Sequence, residues 1–265
     1  MKQSYRLCQS LERGLGLLLE LNRSPGGCAS ITWLSHATGI HRTTVKRLLE
    51  TLVAQGYVHG EPGDNLYRLS YKVQALSAGF RDNLRIVDLA VPALRALGKA
   101  VAWPCSILTL EDVEMVVRVS TRPYSPYALH PGMPGRHLPL LSTAAGRVYL
   151  AFCPDEERET LLYSLRARGG SQAALAANAS LVEKVLEEGR ARGYCLNYGE
   201  WEIETKFGGI ATPICHGGRV VAAINMAFVL SGMKGGEATS RYASQLRATA
   251  RQIEEAYAAL VEGNA

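Results

Sequence analysis

Apolar positions in the first seventy residues repeat with helical spacing in three short blocks. Leu11, Leu15, Leu18 and Leu19 follow Ser10, a candidate N-cap, and Pro25-Gly26-Gly27 stops that helix. Ser30 can cap a second helix that opens on Ile31-Thr32-Trp33-Leu34 and ends at Gly39. A third begins at His41 and carries Val45, Leu48, Leu49 and Leu52 at i, i+3, i+4 and i+7, a single apolar stripe. Its other side presents Arg42, Thr43, Lys46, Arg47 and Glu50. Two short helices joined by a tight glycine-containing turn match the helix-turn-helix pattern. From Gly56 to Leu69, two β-like runs then flank a turn of Gly, Pro, Asp and Asn, which predicts a hairpin. Three helices and a hairpin in that order predict a winged helix-turn-helix over residues 1–70.

Beyond it, Val73, Leu76 and Phe80 give Ser70–Phe80 a helical period, and Leu84–Ala102 reads as a long helix. Pro92 predicts a break or a fresh start within the latter. Apolar residues all round favour burial, so 71–102 is expected to hold linker and dimerisation helices. After Trp103 the pattern shifts to short β-like runs at Cys105–Leu110, Met115–Ser120, Tyr194–Tyr198, Gly209–Cys215 and Arg219–Val229. Helices are expected near Ser142–Phe152, Pro154–Leu165, Leu181–Arg192 and Glu237–Glu262. The expectation for 103–265 is an α+β domain, a mostly antiparallel sheet flanked by helices.

Charge changes the picture of the first block. The first 72 residues hold nine Lys/Arg against five Asp/Glu, four of the overall excess of +5. A basic segment of this architecture suits phosphates. The major groove admits a helix, so guanidinium groups of Arg42 or Arg47 could reach guanine in pairs of hydrogen bonds. Thr43 and Thr44 would suit phosphate or a thymine methyl, with Thr32, His41 and Lys46 beside them, while His59 and Arg68 of the wing would meet backbone or minor groove. The expected partner is double-stranded operator DNA.

Other chemistry finds little support. Six scattered cysteines form no CxxC and no Cys/His cluster at metal-ligand spacing, so inert thiols, no metal and no cofactor are expected. P-loop, GxSxG, HExxH and dinucleotide fingerprints are missing, and no catalytic residue is assigned. No apolar run reaches the roughly 18 residues that cross a bilayer, and Met1–Leu11 offers no leader-like apolar stretch, so a cytoplasmic protein without membrane contact is expected. An enzyme fused to a DNA-binding module, or a winged helix serving protein or RNA contact, are the rival readings.

At this point the chain resembles the IclR family of bacterial transcription regulators over nearly its whole length. The likeness rests on SLERGLGLLLEL, LSHATGIHRTTVKRLLETLVAQGYV and YRLSYKV in the first domain. In the second it rests on PGMPGRHLPLLSTAAGRVYLAF, ARGYCLNY and GGIATPICHGGRVVAAINMAF. HRTTVKRLLETL, LSAGFRD, VAWP and LPLLSTAAG carry a narrower similarity to MhpR-like activators of aromatic-acid catabolism. The segment Asn197–Phe207 is slightly longer than is usual in the family and carries Trp201. The resemblance implies a winged helix, a linker helix, a GAF/PAS-like effector domain, and dimers or tetramers. It also implies effectors that are small acids, often aromatic, and RNA polymerase as a partner if the chain activates. A repressor responding to a non-aromatic small acid is the alternative.

An effector site is expected where Leu138-Pro139-Leu140-Leu141 runs into Ser142-Thr143-Ala144-Ala145-Gly146. A helix start leaves backbone N–H groups free and partly positive, and small side chains let an anion approach. Leu140, Ser142, Thr143 and Ala144 are the candidates there. Arg118 lies in an otherwise apolar strand, where Val117 and Val119 should share the opposite face. Tyr127, His130 and Arg136 flank the Pro131–Pro134 loop, Trp201 could stack on an aromatic ring, and Asn225 sits in an apolar run where a buried amide needs partners.

Overall fold

In the computed structural model, the described residues are 8–24, 27–60, 65–76, 85–128, 134–233 and 236–262. They fall into two compact units, the first within residues 8–76 and the second within 85–262.

The first unit packs α1 (Gln9–Arg23), α2 (Ile31–Thr38) and α3 (Arg42–Ala54) around Leu17, Leu21, Leu34, Val45 and Leu49, all fully buried. Helix α1 starts at Gln9 with Cys8 in the capping position, which makes no side-chain cap bond, so Ser10 lies inside the first turn rather than before it. Of the leucines with helical spacing, Leu11, Leu15 and Leu19 form an exposed row; Leu17 and Leu21 fill the core instead. The wing has three strands, not two. A short β1 (Cys28–Ser30) joins β2 (Val58–Gly60) and β3 (Leu66–Leu69) in an antiparallel sheet with β3 central. Within the expected Ser70–Phe80 helix, Tyr71–Leu76 form a 3-10 turn, and 77–80 lie outside the described residues.

The second unit is a six-stranded antiparallel sheet with helices on both faces. Its strands are β4 (Cys105–Glu111), β5 (Glu114–Ser120), β6 (His137–Pro139), β7 (Cys195–Tyr198), β8 (Phe207–His216) and β9 (Arg219–Val229), in the order β6-β5-β4-β9-β8-β7. One face is covered by α4 (Arg85–Val101) and α9 (Glu237–Glu262), which bury Leu94, Leu97, Leu246 and Ile253 against Ile107, Ile210, Ile224 and Phe228. The other carries α5 (Ala144–Phe152), α6 (Asp155–Arg168), α7 (Gly170–Ala177) and α8 (Ala179–Arg192) over Leu108, Met115, Val117 and Ala211. The mixed helix-and-antiparallel-sheet class follows the sequence expectation; β6 and α7 were not anticipated.

Helix α4 runs unbroken through Pro92. A proline in a helix interior costs ~3 kcal/mol. Ile86, Val87, Leu94, Leu97 and Val101 of α4 are all buried, at roughly 1.5–3 kcal/mol each, which outweighs that cost.

Strand β5 contains the irregularity that shapes the site. Ile107 pairs with Val119 but Leu108 pairs with Val117, so Arg118 is the unmatched residue of a β-bulge. Val117 therefore packs on the α5 side and Val119 on the α4 side, against the expectation that they share a face. Beyond the bulge the alternation is reversed, and Ser120 lies opposite Ser106 on the α5 side.

Candidate functional site

The winged helix unit presents its cations on α3. Val45 and Leu49 are buried, which turns Arg42, Thr43, Lys46, Arg47 and Glu50 outward, all exposed, with Thr44 half-buried between them. Two caps fix the approach to this helix. Ser30 accepts from the Trp33 N–H at 3.2 Å to start α2, and His41 Nδ1 accepts from the Thr43 N–H at 3.4 Å to start α3. Between them Gly39 takes a left-handed φ of 68°, which favours glycine, while Ser35 Oγ donates to the Ile40 carbonyl at 2.6 Å. The turn is thus tied to α2 by side chains as well as by backbone. Thr32 is exposed at the start of α2, and His59 and Arg68 are exposed and directly paired across β2 and β3. All nine expected DNA-facing residues lie in this unit.

In the second unit a cavity of about 50 Å³ opens on the sheet face beside the start of α5. Gly208 and Gly209 lie in its wall. A Cβ on Gly209 would stand 2.8 Å from Asn197 Oδ1 and 3.1 Å from Asn225 Oδ1, so only glycine leaves this space. Thr143, Ala144, Trp201 and Asn225 line it, as does Arg122, which sequence reasoning passed over along with Asn197 and Glu204. Arg136 does not stand in the wall; its guanidinium lies over the Trp201 ring, 4.7 Å from the centroid, and bonds Glu204 at 2.6 Å.

The remaining effector candidates are placed elsewhere. Arg118 donates to Thr109 Oγ1 at 2.7 Å and to Glu111 at 3.0 Å. Tyr127 packs on Trp103 with ring centroids 4.6 Å apart. Leu140 is fully buried beneath α5, and Ser142 accepts from Gln172 Nε2 at 3.1 Å. His130 lies outside the described residues.

At the start of α5 two of the first three N–H groups already have partners. Thr143 caps the helix, accepting from the Gly146 N–H at 3.3 Å, and Asn197 Oδ1 accepts from the Ala144 N–H at 3.2 Å. The unmet hydrogen-bonding capacity is at Arg122. That side chain is 5% exposed, and its Nε has no hydrogen-bond partner among the described residues. Burial lowers the pKa of its guanidinium; the Glu204 carboxylate works against that shift and the Arg136 cation adds to it. Arg118 is the unmatched residue of the bulge, whereas Arg122 opens the 3-10 turn Arg122–Tyr124 that follows β5, a turn too short to leave a period in the sequence.

Burial also holds the thiols neutral, pushing Cys105 and Cys195 up to about 12 and Cys153 and Cys215 up to about 11. Among the described residues no cluster of His, Cys, Asp or Glu could hold a metal ion, and no helix is long and apolar enough to cross a membrane.

Comparison with known proteins agrees with both units. Residues 10–62 match the IclR helix-turn-helix domain, and residues 79–255 match the bacterial transcriptional regulator IclR C-terminal domain. The transcriptional repressor YiaJ of Escherichia coli K12 is 34% identical over 144 residues, 54% of this chain and about half (51%) of YiaJ. The structure of a transcriptional regulator, RHA06195 from Rhodococcus sp. RHA1, is 27% identical with a TM-score of 0.63, covering 96% of this chain and 100% of that one. An IclR homolog from Microbacterium hydrocarbonoxydans, solved in complex with 4-hydroxybenzoate, shares the fold at 22% identity and a TM-score of 0.59, covering 94% of this chain and 99% of that one. The matched families and relatives are regulators, not enzymes. With a helix-turn-helix unit and a ligand-domain unit each matched over most of its length, this chain belongs to the IclR family of bacterial transcriptional regulators.

Proposed function

We propose that this protein is a cytoplasmic regulator of an aromatic-acid degradation operon, with α3 reading operator DNA and a small aromatic carboxylate in the cavity beside α5. Thr32, His41, Arg42, Thr43, Thr44, Lys46, Arg47, His59 and Arg68 form the DNA face; Thr143, Ala144, Trp201 and Asn225 contribute to the effector site. The observation that carries the ligand reading is the cavity's composition: an indole ring, two carboxamides, a glycine wall and a buried guanidinium. Rings and amides suit a flat body with polar substituents, and the cation suits an acid. The same family fold holds 4-hydroxybenzoate in the Microbacterium protein.

At about 50 Å³ the cavity is smaller than the ~150 Å³ of a site that admits benzene, so a ring enters only as Trp201 and Arg136 move aside. Both side chains are only partly buried, which permits it. In a homodimer or tetramer such a movement would alter the spacing of two winged helices on a two-part operator. RNA polymerase is the further partner if the protein activates.

Mobility shifts on the chain's own upstream duplex test the first half. Arg42→Ala and Arg47→Ala should each weaken binding by about tenfold or more with oligomerisation intact, and wild-type binding should fall steeply with salt. Calorimetry with 4-hydroxybenzoate, 3-phenylpropionate and aliphatic acids tests the second. Binding of aliphatic acids or sugars alone would remove the aromatic reading; indifference to duplex DNA would remove the whole.

A further inference from the structure

We propose a second ligand site on the α4 side of the turn that follows β5, a cavity suited to a small organic dianion with a planar body, an aryl phosphate or an aryl dicarboxylate. The site goes beyond the effector reading above and does not depend on it.

The cavity measures about 330 Å³, within the ~300–1,000 Å³ of small-molecule sites. Arg95, Gly98 and Lys99 of α4 line it on one side, and Thr121, Tyr124 and Ser125 on the other. Its frame is fixed by the protein's own bonds. Thr121 Oγ1 accepts from the Cys105 N–H at 2.9 Å, Ser125 Oγ donates to the Ala102 carbonyl at 2.6 Å, and the Tyr124 N–H donates to the Thr121 carbonyl at 2.9 Å. A Cβ on Gly98 would lie 2.8 Å from Thr121 Oγ1, so glycine is what lets α4 lie this close to the turn. Thr121 here and Arg122 in the cavity beside α5 are neighbours in the chain, which makes the turn a wall common to both.

Charge gives the cavity its chemistry. Arg95 and Lys99 are both exposed and stand one turn apart on α4, where like charges repel. Elsewhere on its helices the chain sets an acid three or four residues from a cation, as in Arg23 with Glu20, Lys46 with Glu50, Arg192 with Glu188 and Arg241 with Glu237. Arg95 and Lys99 have no such partner: neither makes a hydrogen bond or ion pair among the described residues, and no carboxylate among those residues lines the cavity. The partial negative charge at the end of α4 accounts for Lys99 in its last turn, but Arg95 lies a turn earlier, beyond that reach. Two cations without an acid are balanced by a dianion, and a guanidinium grips phosphate or carboxylate through paired hydrogen bonds. Beside them the Tyr124 side chain is 76% exposed, a face that a flat aromatic body can cover.

The test is calorimetry on the full-length protein with phenyl phosphate, phthalate and inorganic phosphate. Wild type should bind phenyl phosphate or phthalate, and the tighter of the two names the acid group. The double variant Arg95→Gln, Lys99→Gln, altered only at exposed positions, should weaken that binding by about tenfold or more, as loss of charge-assisted hydrogen bonds implies. Phenyl phosphate should bind wild type several-fold more tightly than inorganic phosphate, and Tyr124→Ala should erase that advantage. Gly209→Ala, which fills the cavity beside α5, should leave binding of the dianion unchanged. The site is overturned if neither aryl dianion binds wild type, if the double variant binds as wild type does, or if Gly209→Ala abolishes binding. An advantage of phenyl phosphate that survives Tyr124→Ala overturns the planar body. Weaker duplex binding by the double variant, with no dianion bound by wild type, would assign the two cations to the DNA backbone instead.

Discussion

Replacing Gly146 by alanine should unfold the second unit several degrees early. The glycine sits in the first turn of α5, pressed against the strand that leads into it. A Cβ there would lie 2.3 Å from both Cα and O of Leu140 and 2.6 Å from its carbonyl carbon. All three are backbone atoms, so no rotamer change can clear them. Reaching ordinary contact of about 3.5 Å requires α5 to shift by roughly 1 Å. Overpacking of a buried site costs ~1–3 kcal/mol, and a clash with backbone belongs at the upper end. The helix-propensity gain of alanine over glycine returns at most ~1 kcal/mol. A net loss of about 2 kcal/mol should lower the melting temperature by about 4–8 °C in a unit of this size. Gly14 of α1 supplies the contrast, since a Cβ there meets nothing within 4 Å. Gly14→Ala should stabilise the first unit by about 0.5–1 kcal/mol. Differential scanning calorimetry of the two variants reads both effects. An unchanged or raised midpoint for Gly146→Ala would show that the α5 contact yields where the geometry says it cannot.

Two further outcomes follow from residues already placed. Gly209→Ala should abolish acid binding in calorimetry with only a small change in melting, because its Cβ meets the ends of Asn197 and Asn225 rather than backbone; undiminished affinity would move the ligand out of this cavity. Raised thiol pKa values leave roughly one molecule in ten thousand as thiolate at Cys105 or Cys195 at pH 8, with reactivity appearing only as pH climbs toward 12. A disulfide reagent at pH 8 should therefore label exposed Cys8 first, and rapid native-state labelling of Cys105 or Cys195 would contradict their burial.

Much of the architecture is legible because local and global preferences coincide. The long apolar runs of β8 and β9 turn at His216-Gly217-Gly218, and the Val45–Leu49 stripe of α3 leaves its cations no direction but outward. Where they conflict, the sequence misleads. Pro92 argues for a break that side-chain burial along α4 overrides. Three-residue β1 and β6 are too short to show a period, and α7, with its run of small residues, buries only Ala176 and carries no apolar stripe. The facing of β5 suffers most from one extra residue. Alternation read straight through Val117-Arg118-Val119 puts both valines on one face, because a bulge is a property of two strands in register and is invisible in either alone.

Ser30 is both the last residue of β1 and the N-cap of α2. A wing attached to its domain only through its own hairpin can sway as a flap and must be immobilised when it reaches a phosphate. Here the third strand ties the flap to the front of the helix-turn-helix, so in the DNA-reading role proposed for α3 the hairpin and that helix would meet the duplex as one bracket. Most of the ordering entropy of the wing is then spent during folding rather than during docking.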